Sequence, residues 1–178
     1  WDHWNTTGGQ VEGKLKYLQN LMKKYQVENQ VEKPIFMTEA ALIDYEYSGR
    51  PEGYVENYNP IFESTKADYV VWLYTRNLTL SIDATFWYSL DNYGWNQSGL
   101  LNKDNDPLDA YKTYRGVTEA LAGLSHDDFQ KNINPGLGVH GFEFLRDDGK
   151  HLWVLFTSIA SEITIQIGEG TKVYDRYY

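Results

Sequence analysis

Two short apolar runs set between helix-periodic stretches put the strongest limit on what this chain can fold into. Pro34-Ile35-Phe36-Met37-Thr38-Glu39 ends abruptly in a carboxylate, and Ala84-Thr85-Phe86-Trp87-Tyr88-Ser89-Leu90 ends in a Gly/Asn-rich loop over 91–106. Continuous apolar runs of this length suit strands buried on both faces, as in parallel sheets. The flanking sequence repeats at helical spacing. Over 10–26 the apolar positions are Val11, Leu15, Leu18, Leu21, Met22 and Tyr25, which make one helical face. Over 61–79, Ala67, Val70, Val71, Tyr74 and Leu78 fall on one side. A third helix is predicted to start at Pro107, whose fixed φ suits a first helical turn, and to run to about Ala122. Helix, strand, helix, strand, helix in that order predicts parallel strands in an α/β layer or barrel.

Beyond residue 123 the character changes. Ser125-His126-Asp127-Asp128 and Asn132-Ile133-Asn134-Pro135-Gly136 are turn-rich, so 124–136 reads as a linker. The apolar period then shortens to two. Val139 with Gly141-Phe142-Glu143-Phe144, Leu152 to Phe156, Ile163 to Ile167 and Lys172 to Asp175 predict four strands. Asp147-Asp148-Gly149 and Gly168-Glu169-Gly170 supply turns between them. The expectation is an α/β part over 1–123 followed by a small antiparallel β-domain over 137–178.

Composition narrows the function. The 178 residues carry a net charge of −9 with scattered lysines, which argues against a nucleic-acid partner. No apolar run approaches the roughly 20 residues that span a bilayer, so no membrane partner is expected. With no cysteine, disulfides, thiolate metal sites and cysteine nucleophiles are excluded. His3, His126, His140 and His151 lack zinc-binding spacing, and no metal or cofactor is expected. No Gly-x-Ser-x-Gly elbow and no phosphate-binding Gly-rich loop is present. Aromatic residues make up 16%, with six Trp and fifteen Tyr, which suits either stacking on sugar rings or a tyrosine-rich core. Asn-x-Ser/Thr sites occur at Asn5, Asn77 and Asn96. The chain opens on Trp1-Asp2-His3-Trp4 without an initiator Met or signal peptide, and reads as the interior of something longer.

Glu39 is the candidate catalytic residue. A parallel strand aims its last side chains into the mouth of the sheet, where α/β proteins place ligands. The competing readings are a helix cap or an arginine partner. Trp87, near the end of the second strand, would bring an indole to the same mouth; the competing reading is a core aromatic. An anion facing an anomeric carbon and a flat apolar wall under the ring are what sugar hydrolysis needs. Asp91 and Asn92 follow in the loop and can bind sugar hydroxyls or simply make a turn. Glu46 and Tyr47 lie in the loop after the first strand, where they can line a substrate cleft or, the reading preferred, simply be solvated. Trp153 reads as core, and Asp147-Asp148 as a turn.

Taken together, these stretches resemble the clan of retaining glycosidases built on (β/α)8 TIM barrels. Pro34 to Glu39 resembles strand seven, which ends in the nucleophilic Glu, and Phe86 to Leu90 resembles strand eight with its sugar-platform Trp, here Trp87. Pro107-Leu108-Asp109-Ala110-Tyr111 resembles the entry to the last barrel helix, and His3-Trp4 the His-aromatic pair at the end of strand six. The tail resembles the β-domain that follows such barrels. The resemblance implies Glu39 as nucleophile, with Trp87, His3, Trp4 and Asn92 as substrate contacts. It implies a carboxy-terminal part of a TIM barrel (1–123) plus a β-domain, acting on oligo- or polysaccharides, extracellular or at the cell surface. The clan's acid/base follows an Asn at the end of strand four, and no Asn-Glu pair occurs here. The chain alone is therefore expected to be inactive and to need a missing amino-terminal half or a second chain over its open face, with Val71, Trp72, Phe86 and Tyr88 as candidates for that surface. The alternative is a non-catalytic carbohydrate-binding or structural module.

Overall fold

The computed structural model describes residues 10–25, 33–44, 60–91, 95–136, 138–157 and 164–177. The chain divides into two compact units, Trp1–Ile35 and Phe36–Tyr178. The first holds helix α1, Gln10–Tyr25, with Glu12 in its first turn and Lys23 and Lys24 in its last, an order that complements the helix dipole. Leu15 of its expected apolar face is buried, whereas Leu18 and Tyr25 are exposed.

The second unit opens on strand β1, Phe36–Ala40, followed by helix α2, Pro60–Thr79, and strand β2, Ala84–Trp87. β1 and β2 are neighbours and parallel, with Phe36 opposite Ala84 and Met37 opposite Thr85. A β-α-β unit is thus formed where the two apolar runs predicted it. Asn77 of α2 fixes the helix on the sheet: its Nδ2 donates to Thr85 Oγ1 at 2.8 Å and lies 3.3 Å from Met37 Sδ. Asn77 is 2% exposed, so the glycosylation signal there is closed off by folding.

Helix α3, Asp109–Leu121, packs on α2 around a core of Ala67, Val70, Leu100, Ala110 and Val117. It starts two residues later than predicted. Pro107 bridges Leu101, and the Leu108 N–H donates to Leu100 C=O, which keeps the backbone extended through Leu108. With no capping side chain on Leu108, a neighbouring helix supplies one: Glu63 Oε1 of α2 accepts the Ala110 N–H at 2.8 Å.

The expected linker is not one. A 3-10 turn at His126–Asp128, closed by a capping box between Ser125 and Asp128, leads into strand β3, Phe129–Gly136. β3 pairs antiparallel with β4, Val139–Leu145, which pairs with β5, His151–Thr157, in the order β3-β4-β5. β3 lies at the sheet edge, the place in a sheet that tolerates a proline such as Pro135. Asp147-Asp148-Gly149 makes the expected β4–β5 turn, with Gly149 at φ 77°. Of the two further strands predicted after it, Ile163 lies outside the described residues, and among the described residues 164–168 and 171–175 are not in a strand. Instead Arg176 returns to α2, donating to the Ser64 carbonyl and to Asp68 Oδ1. The sheet is tied to the helices by Phe142 under Arg76 and by Arg146, which donates to the Ala120 and Ala122 carbonyls at the α3 carboxyl end.

Candidate functional site

The carboxyl ends of β1 and β2 lie side by side. Ala40 pairs with Trp87, and the Tyr88 N–H extends the ladder by donating to Ala40 C=O at 2.8 Å. Between the Met37–Thr85 and Ala40–Trp87 pairs, β1 spends three residues where β2 spends two. This bulge sets Thr38 and Glu39 together against Phe86, and both are exposed. Bulges re-aim side chains, and they concentrate near active sites. Glu39 thus stands at the carboxyl end of its strand with its carboxylate in solvent.

The direction of the aromatic residues differs from expectation. Thr85 and Met37 meet Asn77, so they face α2. Side chains alternate along a strand, which turns Trp87 to the same side as Thr85. Trp87 accordingly packs on the α2–α3 core, meets the Tyr69 ring at 6.2 Å, and donates its indole N–H to Ser98 C=O at 2.8 Å. Phe86 takes the opposite side. It is 54% exposed, Phe36 is 56% exposed, and Tyr88 just beyond the strand is 43% exposed. The rings presented on the open face of the β1–β2 pair are therefore Phe36, Phe86 and Tyr88. Of the four residues expected there, Val71 packs on the core and Trp72 is buried. The alternation that separates Trp87 from its neighbours was available in the sequence; the position of α2 was not. The Tyr88–Ser89 peptide bond is cis.

The floor of this end is built by two loops. Residues Ala41 to Asp44 run buried after β1, and the Asp44 N–H donates to Asn96 C=O at 3.0 Å. Asn96 and Gln97 both take positive φ, 53° and 61°, a conformation Asn tolerates better than Gln. Lys66, fully buried on α2, holds this loop from beneath: its Nζ donates to Gln97 C=O at 2.9 Å and Gly99 C=O at 2.6 Å, and lies 2.7 Å from Glu63 Oε2. Burial pushes the Lys66 ammonium below its ordinary value, against the opposing pull of Glu63. The sequence reading did not single out Glu63 or Lys66, since i,i+3 spacing on a helix does not report burial. The buried carboxyl of Asp44 was likewise not anticipated.

Of the other expected site residues, His3, Trp4 and Asn92 lie outside the described residues, as do Glu46 and Tyr47. Asp91 is described and exposed, and its carbonyl accepts the Ser89 hydroxyl at 3.0 Å. Trp153, expected in the core, is 47% exposed on β5, because its alternate face of the sheet is not the one packed on α2.

No protein-family model and no curated protein matches the sequence. Among solved structures, the chain is similar to a family 39 glycoside hydrolase from the gut symbiont Bacteroides cellulosilyticus WH2, with a TM-score of 0.64 and 20% sequence identity. The match covers 89% of this chain and 30% of that one. The fold of the chain is thus shared with about a third of a glycoside hydrolase.

Proposed function

We propose that this chain is the nucleophile-bearing, carboxy-terminal portion of a retaining glycoside hydrolase, and that its β1-α2-β2 unit belongs to a (β/α)8 barrel. One observation carries the reading: Glu39 is an exposed carboxylate at the bulged carboxyl end of a parallel strand, in a fold shared with part of a glycoside hydrolase. The carboxyl ends of parallel barrel strands are where such folds do their chemistry.

The reaction needs two carboxyl groups about 5–5.5 Å apart. In the first step the Glu39 carboxylate attacks the anomeric carbon. The glycosyl ester bond forms as the glycosidic C–O bond breaks, and the acid/base gives its proton to the leaving oxygen. In the second step the same acid/base takes a proton from water, which attacks the anomeric carbon and releases Glu39. The configuration is inverted twice and so retained. The acid/base and the remaining strands are assigned to a further part of the enzyme, or to a partner chain, seated over Phe36 and Phe86.

The roles of the aromatics follow from their directions. Tyr88 and Phe86, on the open face, are proposed as the flat wall under the sugar. Trp87 is proposed to act from behind, by holding Ser98 and the loop after β2 in place. Asn92 is proposed as a hydroxyl contact in that loop, and oligo- or polysaccharides outside the cell as substrates. The second reading, a non-catalytic carbohydrate-binding module, is favoured by the absence of an Asn-Glu pair in the sequence.

A 2-deoxy-2-fluoro glycosyl fluoride distinguishes the two. Incubated with the full-length enzyme, it should leave a fluoroglycosyl adduct on the peptide that holds Glu39, and none on the Glu39→Gln variant. The variant should lose kcat with little change in KM. An adduct on another residue, or full activity in Glu39→Gln, refutes the assignment.

A further inference from the structure

The β3-β4-β5 sheet carries a second cluster that the β1–β2 end does not use. Glu143 of β4 stands in register with Lys131 of β3 and with Trp153 of β5, so the three side chains form a row across one face. His151, two residues before Trp153, projects from the same face. Glu143 is 6% exposed, unusual for a carboxylate. Its Oε1 lies 2.6 Å from His151 Nδ1 and its Oε2 3.1 Å from Lys131 Nζ, with Trp153 its direct cross-strand neighbour.

The three groups around this carboxylate are open to solvent. The side chains of Lys131 and His151 are 68% and 56% exposed, and Trp153 is 47% exposed. A single exposed aromatic needs no explanation. This one differs because it stands in register with a buried carboxylate that also holds Lys131 and His151, so the ring and two polar groups are gathered on one patch before any ligand arrives, which lowers the ordering cost of binding. The rim of the ring then offers an ammonium with three donors and an imidazole. The Lys131 and Glu143 charges cancel, which leaves a patch of little net charge on a chain of net −9. Such a patch suits a neutral ligand with one apolar face and several hydroxyls. A pyranose ring has both: its C–H face stacks on indole, and its hydroxyls reach Lys131 and His151.

We propose that Trp153, framed by Lys131 and His151 around Glu143, is a binding site for neutral sugar residues, separate in sequence and elements from the β1–β2 end and independent of what Glu39 does there. It would hold a polysaccharide by a point remote from the bond that reacts.

Affinity electrophoresis of the full chain tests it, in native gels containing hydroxyethylcellulose, arabinoxylan or galactomannan, with polygalacturonate as the charged control. At least one neutral polymer should retard the chain. Trp153→Ala should weaken that retardation about tenfold, a loss of roughly one decade in affinity. Glu39→Gln should be retarded like the parent chain. Should Trp153→Ala fail to fold by circular dichroism, Lys131→Ala, at an exposed position, takes its place and should weaken retardation as well. No retardation by any neutral polymer, retardation by polygalacturonate alone, or retardation unchanged in the variant overturns the proposal. Loss of retardation in Glu39→Gln but not in Trp153→Ala would move the binding to the β1–β2 end, which overturns this site and leaves the proposed function standing.

Discussion

Replacing Lys66 by Met should be among the most damaging single changes available in this chain. The substitution keeps the aliphatic stem and removes only the ammonium. Lys66 is fully buried, and its Nζ is shared among Glu63 Oε2 and the Gln97 and Gly99 carbonyls. Glu63 is 3% exposed and keeps one donor, the Ala110 N–H. Lys66→Met therefore leaves a buried carboxylate without its counter-charge and takes a donor from two loop carbonyls. Breaking a buried pair from one side costs about 3–5 kcal/mol. With a urea m-value of about 2 kcal/mol/M, the midpoint should fall by about 2 M. Adding Glu63→Gln removes the stranded charge and keeps an acceptor for Ala110. The double variant should therefore recover about 1–3 kcal/mol relative to the sum of the singles. Urea unfolding followed by tryptophan fluorescence measures all three. A cost below about 1 kcal/mol for Lys66→Met, or strict additivity in the double variant, would show that the pair behaves as a solvated one and that the loop after β2 is held by something else.

Three further outcomes are expected. Burial pushes the Glu143 carboxyl up, but donation from Trp153, Lys131 and His151 outweighs it and holds the group below the ordinary glutamate range. Its stabilisation is therefore complete above that range and is lost as pH falls through the lower folded value, so Glu143→Gln should flatten the loss of stability on the acid side of the ordinary glutamate range in acid titrations. A Cβ on Gly141 would press on the Val154 carbonyl oxygen and lie 2.7 Å from Leu155 Cδ2, so Gly141→Ala should cost more than about 2 kcal/mol in chemical denaturation. Trp87→Phe keeps a ring in the core but strands the Ser98 carbonyl that its indole reaches at 2.8 Å, and should cost about 1–3 kcal/mol; an unchanged stability would mean that Trp87 does not face the helices.

Much of the α/β part was legible because its signals are long. The runs at Phe36 and Ala84 have no alternative use for so many consecutive apolar residues, and the 20-residue helix between them repeats over several turns. The β-sheet was legible only where alternation coincided with a partner. β4 and β5 share the Asp147-Asp148-Gly149 turn and pair along their whole length. Ile165 and Ile167 alternate just as well, yet among the described residues they are in no strand, and Ile167 and Val173 are 47% and 73% exposed. β3 failed in the other direction: Asn132, Asn134, Pro135 and Gly136 are turn formers, and only the edge position makes them tolerable in a strand. Pairing is a property of two segments, so one segment's pattern cannot report it.

The candidate site divides in the same way, between what one strand decides and what its neighbours decide. That Glu39 ends an apolar run is local and was legible. That it shares its strand end with Thr38 depends on the bulge, and the bulge exists only relative to β2. The direction of Trp87 depends on a third element. Asn77 of α2 claims Thr85, parity then gives Trp87 to the helices, and the same parity gives Phe86 to the open face with Glu39. An indole and a carboxylate at adjacent strand ends suggest one cleft when read from sequence. In the fold they fall on opposite sides of the sheet: the indole packs on the helices, and the carboxylate stands with Phe86 and Tyr88 on the open face.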